Sequence, residues 1–204
     1  MKFNRMNVLL ATALVATTLL VTACAKVPQD ELTAAQTALD GARTAEAEKY
    51  APDTWRAASD SLAAANAEIQ AQASKFALFR KYDRTNALIQ ASSTLAAKAA
   101  QDAVVNKEAA KNAANEALTM AVAMVDSAKV TLASAPVGKD NRADVEMMKA
   151  DLAGAETNLE QVRTAITNED YFGARSQAEA ITAKANEIIN SVMMAKEKMM
   201  GGRK

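Results

Sequence analysis

The sequence has 204 residues, with 24 basic and 24 acidic side chains, one cysteine and no histidine. The balanced charge argues against a nucleic-acid-binding protein, which would show a basic excess, and the missing histidine removes the commonest general base and zinc ligand. A single cysteine excludes a disulfide within the chain. Alanine is abundant beside Glu, Gln, Lys and Met, whereas Gly and Pro are rare, so we predict an all-α protein.

The N-terminal stretch 1–23 has the three parts of an export signal. Lys2 and Arg5 make its start basic, positions 8–21 are apolar, and small residues follow. The apolar run is about 14 residues long, whereas a transmembrane helix needs about 20. We therefore predict that residues 1–23 are a signal peptide that is removed on export.

Cys24 ends the segment Val21-Thr22-Ala23-Cys24, which resembles the lipobox of bacterial lipoproteins. The resemblance implies that Cys24 carries an N-acyl chain, such as palmitate, and a diacylglycerol, with residues 24–29 as a lipidated tether. Several acyl chains on one residue anchor a protein durably. In such lipoproteins Asp after the cysteine signals inner-membrane retention, so Ala25 implies the periplasmic face of the bacterial outer membrane. The alternatives are an ordinary cleavage that leaves Cys24 as a free thiol, or an uncleaved anchor.

The first part of the body predicts two helices and a turn. Asp30 is a candidate N-cap for a helix from about Glu31 to Tyr50, which Ala51-Pro52 ends. We expect a turn near Arg80 to Asp83; without it, the second helix would simply run on. The second helix has an a/d seam, and four aromatic residues are expected to fill one end of the bundle. The seam is Trp55, Leu62, Ile69 and Phe76 with Ala58, Ala65, Gln72 and Phe79, and the aromatics are Trp55, Phe76, Phe79 and Tyr82.

A long helix is predicted next, from about Asp83 to Ser134, because the polar stretch 106–112 in its middle contains no helix breaker. The segment 135–138, Ala-Pro-Val-Gly, ends it. Two further helices follow, and Asp170 can cap the last one. The three seams are Ala114, Leu118, Ala121, Val125, Ala128 and Leu132; Val145, Met148, Leu152, Ala155, Leu159, Val162 and Ile166; and Ala178, Ile181, Ala185, Ile188, Val192, Ala195 and Met199.

These elements predict an elongated antiparallel helical bundle, built as two three-helix bundles that share one long central helix. The N-terminal bundle is expected over 30–105, the C-terminal bundle over 106–200, and a flexible basic tail over 201–204. The two halves also resemble each other as degenerate helical hairpins. The matched positions are Pro52 with Pro136, Leu62 with Leu152, Ala65 with Ala155, Ile69 with Leu159, and Tyr82 with Tyr171, followed by Ala91, Leu95 and Ala99 with Ala178, Ile181 and Ala185.

The junction Tyr50-Ala51-Pro52, followed by alanine-spaced helical positions, resembles a family of bacterial lipoprotein domains of unknown function. The resemblance covers about residues 30–100 and, more faintly, 140–195. Members of that family often carry an OmpA-like, peptidoglycan-binding domain downstream. This sequence has no OmpA-like domain, so the resemblance implies the lipoprotein class and the helical fold.

The last two residues, Arg203-Lys204, follow Gly201-Gly202 and resemble the end of Braun's lipoprotein. The resemblance implies that the side-chain amine of Lys204 is joined covalently to peptidoglycan. The two glycines would leave Lys204 on an unconstrained tether. The alternative is a frayed basic tail with no special role.

Six methionines are expected toward the distal end of the second bundle: Met120, Met124, Met147, Met148, Met193 and Met194. They predict a groove that accepts a partner helix, since methionine-rich surfaces adapt to different partners. The alternatives are flexible core filling and Cu(I) binding through the thioethers. We expect core filling to be the commoner role of methionine and predict no metal site.

No catalytic constellation is evident. Glu46 and Glu48, and Glu169 and Asp170, are neighbouring carboxylates near predicted helix ends, where acids usually act as caps. There is no glycine-rich phosphate loop and no nucleophile elbow. We therefore expect a protein that is not an enzyme and needs no cofactor beyond its lipid.

The sequence supports two functional hypotheses. The first is an outer-membrane lipoprotein that acts as a periplasmic helical spacer or envelope adaptor, linked to or contacting peptidoglycan. The second is a periplasmic binding module that captures a partner helix, a peptide or an apolar ligand in a bundle groove. Filled seams favour the spacer, whereas a groove of several hundred cubic ångströms, roughly the size of ligand sites, favours the binding module.

Overall fold

The computed structural model describes residues 26–138 and 141–201, and in these residues the chain is all-α, as predicted. The chain divides into two compact units between Asn106 and Lys107. The helices are α1 (Gln29–Thr44), α2 (Ala47–Tyr50), α3 (Pro52–Ala73), α4 (Asp83–Ala133), α5 (Arg142–Thr167) and α6 (Tyr171–Gly201), with a short 3-10 turn at Ala77–Phe79. The first half of α4 belongs to the first unit and its second half to the second unit.

The prediction of one helix from Glu31 to Tyr50 is wrong, because the chain breaks between α1 and α2. Glu46 adopts a left-handed backbone conformation with φ of 60°, which an α-helix cannot contain. Asp30 does not act as the N-cap either. Pro28 occupies that position, and Asp30 lies in the first turn, where its carboxylate faces the positive end of the helix dipole.

Alanine fills the core of the first unit, in which α1, α3 and the first half of α4 pack together. The hydrogen bonds between the helices include Ser92 Oγ donating to the carbonyl of Ala58 at 2.9 Å and Asn106 Nδ2 donating to the carbonyl of Tyr50 at 2.7 Å. Small side chains let helix axes approach closely. The buried residues include Ala35, Leu39, Ala42, Ala58, Leu62, Ala65, Ile89, Ala96, Ala99 and Ala103.

The turn between α3 and α4 exists, as predicted, but the expected aromatic end of the bundle does not. Phe76 is 69 % exposed and Phe79 is 71 % exposed, because α3 ends at Ala73 and the heptad seam ends with it. Trp55 is half-buried, and only Tyr82 is buried. The apolar residues of this turn therefore contribute little to the core.

The second unit is built from the second half of α4 with α5 and α6. Asp170 caps α6, as predicted, by accepting a hydrogen bond from the Gly173 amide at 3.3 Å. The predicted seam of α6 extends too far, because burial ends at Val192 and Met199 is 55 % exposed. The buried residues include Ala114, Ala121, Val125, Ala128, Leu132, Val145, Leu152, Ala155, Leu159, Val162, Ile181, Ala185 and Ile188.

The two helical hairpins, α3–α4 and α5–α6, share one pattern of burial. Pro136 is not the counterpart of Pro52, since Pro52 is the first residue of α3 whereas Pro136 lies upstream of α5. Ala91 is exposed, so it is not the counterpart of Ala178. Counted from Tyr82 and from Tyr171, however, the buried positions fall at identical spacings. They are Thr85, Ile89, Ser92, Ala96, Ala99 and Ala103 in α4, and Ala174, Ala178, Ile181, Ala185, Ile188 and Val192 in α6.

Removal of either of two buried hydroxyl groups in α4 is predicted to change stability, in opposite directions. Thr85 Oγ1 is buried without a hydrogen-bond partner among the described residues, whereas Ser92 Oγ has its bond to Ala58. Replacing Thr85 by the isosteric Val removes an unsatisfied hydroxyl, so Thr85→Val should raise the free energy of unfolding by about 1 kcal/mol. Ser92→Ala should lower it by about 1 kcal/mol. Urea unfolding followed by circular dichroism measures both variants, and a less stable Thr85→Val would contradict the assignment.

Candidate partner groove

The six methionines of the predicted groove all belong to the second unit, but the structure does not bring them together. Met147 and Met148 of α5 and Met194 of α6 line one groove of about 370 Å³, here called the Met groove. Met120 lines another groove, of about 440 Å³, between α4 and α6. Met124 and Met193 line neither of these grooves.

The Met groove forms where α5 begins and α6 approaches its end. Val145 and Val192 line it as buried residues, while Met147 and Met194 are 62 % and 63 % exposed. Asn141 also lines the groove, and its side chain donates to the carbonyl of Pro136 and accepts from the Gly138 amide, both at 2.6 Å. An apolar floor with mobile thioether walls suits an apolar helix or peptide.

A second groove, here called the small-residue groove, lies farther along α5 and α6 and was not predicted from the sequence. Its volume is about 430 Å³, and its lining includes the small residues Ala150, Gly154 and Ala180. A Cβ atom added to Gly154 would have no neighbour within 4 Å, so glycine leaves open space here. The sequence signal was the set of small residues at positions outside the seam. The rim carries the side-chain amides of Asn158, Gln161 and Gln177.

An ion pair stands beside both grooves. Asp151 lines the Met groove and the small-residue groove, and its carboxylate lies 2.9 Å from Lys184 Nζ. The hydrogen bond to Asp151, with the charge of that carboxylate, raises the pKa of Lys184 above its ordinary value. Glu187 lies 3.7 Å from the same ammonium group. Charged groups at the edge of an apolar groove favour orientation and specificity of a partner more than its affinity.

The neighbouring carboxylates noted in the sequence lie at helix ends. Asp170 caps α6, and Glu169 precedes it in the turn with φ of 60°. Glu48 accepts a hydrogen bond from Arg43 Nε at 3.2 Å. Within residues 26–138 and 141–201, no cluster of three or more His, Cys, Asp or Glu side chains is arranged to hold a metal ion.

Cys24 and Lys204, the two predicted attachment points, lie outside the described residues. In the part of the chain that the structure describes, no helix combines the length and the apolar character needed to cross a bilayer. Compared with known proteins, the chain matches no family model, no curated protein and no solved structure.

Proposed function

We propose that this chain is an outer-membrane lipoprotein that acts as a periplasmic helical spacer or envelope adaptor. The observation that carries the proposal is the lipobox-like segment 21–24, placed directly after a basic and then apolar export signal. Ala25 supports outer-membrane sorting. The acyl chains on Cys24 supply the membrane attachment, since durable anchoring needs more than one chain.

The folded part of the chain is consistent with this role. Helix α1 begins at Gln29, so a packed helical unit follows closely on the anchor residue. Both units have continuous seams of fully buried small residues, including Ala58, Ala65, Ala121 and Ala185 at 0 % exposure. Helices that are closely packed along such seams resist deformation better than loosely packed helices, because close-packed interiors have low compressibility.

Cys24→Ala should abolish acylation and release the protein from the membrane fraction, because Cys24 is the only cysteine in the sequence. The matched control is Ala25→Asp, which retains the cysteine and should keep the lipid but shift the protein to inner-membrane density. Mass spectrometry of the mature N-terminus and density-gradient fractionation measure the two effects. An unmodified thiol on Cys24 in the wild-type protein would contradict the anchor.

A covalent link to the wall is the second element of the proposal, and it depends on the ε-amine of Lys204. Lys204→Arg keeps the positive charge but lacks a lysine amine. Muramidase digestion of purified sacculi should release wild-type protein with a muropeptide on its C-terminus, and no such adduct from the Arg variant. A wild-type C-terminus without muropeptide would leave the tail as an ordinary basic end and the protein as an unlinked adaptor.

A second candidate function is a periplasmic binding module, and the Met groove favours it. Three methionines from α5 and α6 line a groove of about 370 Å³, which is within the range of ligand and peptide sites. Two of them, Met147 and Met194, are more than half exposed, so their apolar surface is accessible to a partner. The occupant that fits this groove is an apolar helix or peptide segment of an envelope protein.

Photo-crosslinking separates this candidate from a pure spacer. A benzophenone amino acid in place of Met194 should give a discrete adduct in cells, and the adduct should disappear when Met147→Glu is introduced as well. Met193 is the matched control, because it is 52 % exposed but does not line the Met groove. Equal adducts at positions 193 and 194, or none at either, would contradict a binding role for this groove.

A further inference from the structure

Three large apolar side chains are exposed together in the connection between α3 and α4. Phe76, Leu78 and Phe79 are 69 %, 63 % and 71 % exposed, and the two phenyl ring centroids lie 6.3 Å apart. We call residues 74–82 the Phe turn. Isolated exposed apolar residues are common, but a contiguous group of this kind usually marks a surface that contacts a partner or a membrane.

Hydrogen bonds hold the Phe turn in this conformation. Arg80 Nη2 donates to the carbonyl of Ala73 at 2.9 Å, and Arg80 Nε donates to the carbonyl of Lys75 at 3.0 Å. The Lys81 amide donates to Gln72 Oε1 at 3.1 Å. The apolar side chains therefore project from an ordered connection, and the end of α3 has its carbonyls satisfied.

The hairpin itself does not require such a turn. The equivalent connection in the second unit, between α5 and α6, consists of Asn168, Glu169 and Asp170, which are all polar. Both connections lead to a buried tyrosine, Tyr82 or Tyr171, at the start of the next helix. The longer apolar connection in the first unit is therefore an addition that helix packing does not explain.

Basic residues flank the apolar ones along the chain. Lys75, Arg80, Lys81 and Arg84 lie within or just after the Phe turn. The carboxylate of Asp83 lies among them in sequence, and that of Glu68 lies 3.8 Å from Arg84 Nε. A basic surface with projecting Phe and Leu matches the interface of an anionic bilayer, in which apolar groups enter the acyl boundary and cations meet the phosphates. Lysine and arginine can keep their charges at the headgroups while their methylene stems lie against apolar surface.

The topology of the first unit brings the Phe turn to the lipid-bearing end. The guanidinium of Arg43, near the end of α1, lies 5.5 Å from the ring centroid of Trp55, near the start of α3. The short connection between α1 and α3, with their mutual packing, makes the two helices antiparallel. The start of α1 at Gln29 and the end of α3 at Ala73 therefore point the same way.

The remaining distance is short enough for both features to meet one bilayer. Cys24 precedes Gln29 by five residues, and an extended chain of that length spans at most about 18 Å. The acyl chains on Cys24 and the apolar tip of the Phe turn can then enter the same leaflet. Asp30 and Glu31 lie in the first turn of α1, at this same end of the unit.

We propose that the Phe turn is a second membrane contact, which inserts Phe76, Leu78 and Phe79 into the interface of the anionic bilayer that holds the lipid of Cys24. The inference rests on the lipid anchor of the proposed function. Two contacts on one bilayer fix the orientation of the first unit, whereas an acyl anchor on a free tether would not.

Depth-dependent quenching tests the proposal in the full mature protein, extracted from membranes and reconstituted into vesicles of phosphatidylglycerol and phosphatidylcholine. The chain has a single tryptophan, so Trp55→Phe removes the background and Phe79→Trp places one reporter on the turn. Vesicles that contain brominated lipid should quench this reporter at least twofold more than a reporter at Phe172, which is also exposed, at 51 %, near the other hairpin connection. Replacing phosphatidylglycerol by phosphatidylcholine should reduce the difference.

Independent readouts separate failure of the contact from failure of the anchor. Vesicle flotation and the mass of the N-terminal peptide show whether Cys24 carries lipid. The ratio of quenching at positions 79 and 172 shows whether the Phe turn enters the bilayer. This ratio is measured with vesicles in excess, on acylated and on non-acylated protein. Equal quenching at positions 79 and 172 overturns the membrane contact, even if the protein floats. If the protein instead forms a concentration-dependent dimer in which position 79 is shielded from bromolipid, the Phe turn contacts a second copy of the chain. That result also overturns the membrane contact. Circular dichroism checks that both reporters leave the fold intact.

Discussion

Close contact between helices through alanine is the constraint on which both units depend. A buried methyl contributes only about 0.8 kcal/mol, so a core of this kind needs many positions buried in register along each helix. The completely buried Ala58, Ala96 and Ala99 show how little space separates α3 from α4. A larger side chain at any of these positions would push the helices apart, and such overpacking usually costs about 1–3 kcal/mol. Alanine therefore sets the interhelical distance, while a few larger residues such as Leu62 and Ile89 are buried between the alanines.

Much of this fold could be predicted from the sequence because long seams and strong breakers are local signals. The bounds of α4, the stop at Pro52 and the cap at Asp170 all follow from such signals. The break at Glu46 could not be predicted, because no glycine, asparagine or proline marks that left-handed residue. Phe76 and Phe79 continued a heptad spacing beyond the end of α3, and spacing alone does not show where a helix ends.

The candidate groove was predictable only in its chemistry. Methionines on α5 and α6 indicated an adaptable apolar surface, but which of them share a groove depends on the rotation of each helix about its axis. Met193 and Met194 are adjacent in sequence, yet only Met194 lines the Met groove. Ala150, Gly154 and Ala180, which line the small-residue groove, lie outside the seams, so the spacing of core positions does not indicate them. The proposed attachment points Cys24 and Lys204 rest on short sequence motifs and lie outside the described residues.

The shared burial pattern of the two hairpins has a consequence for folding. Spacing alone does not distinguish α4 from α6 as the partner of α3, because both present buried residues at the same intervals after a tyrosine. Buried polar groups can make this distinction, since mispairing leaves them unsatisfied. Ser92 finds the carbonyl of Ala58, and α6 has Ile181 at the equivalent position, with no donor to offer that carbonyl. The Ser92 hydroxyl is therefore one group that favours α4 over α6 as the partner of α3.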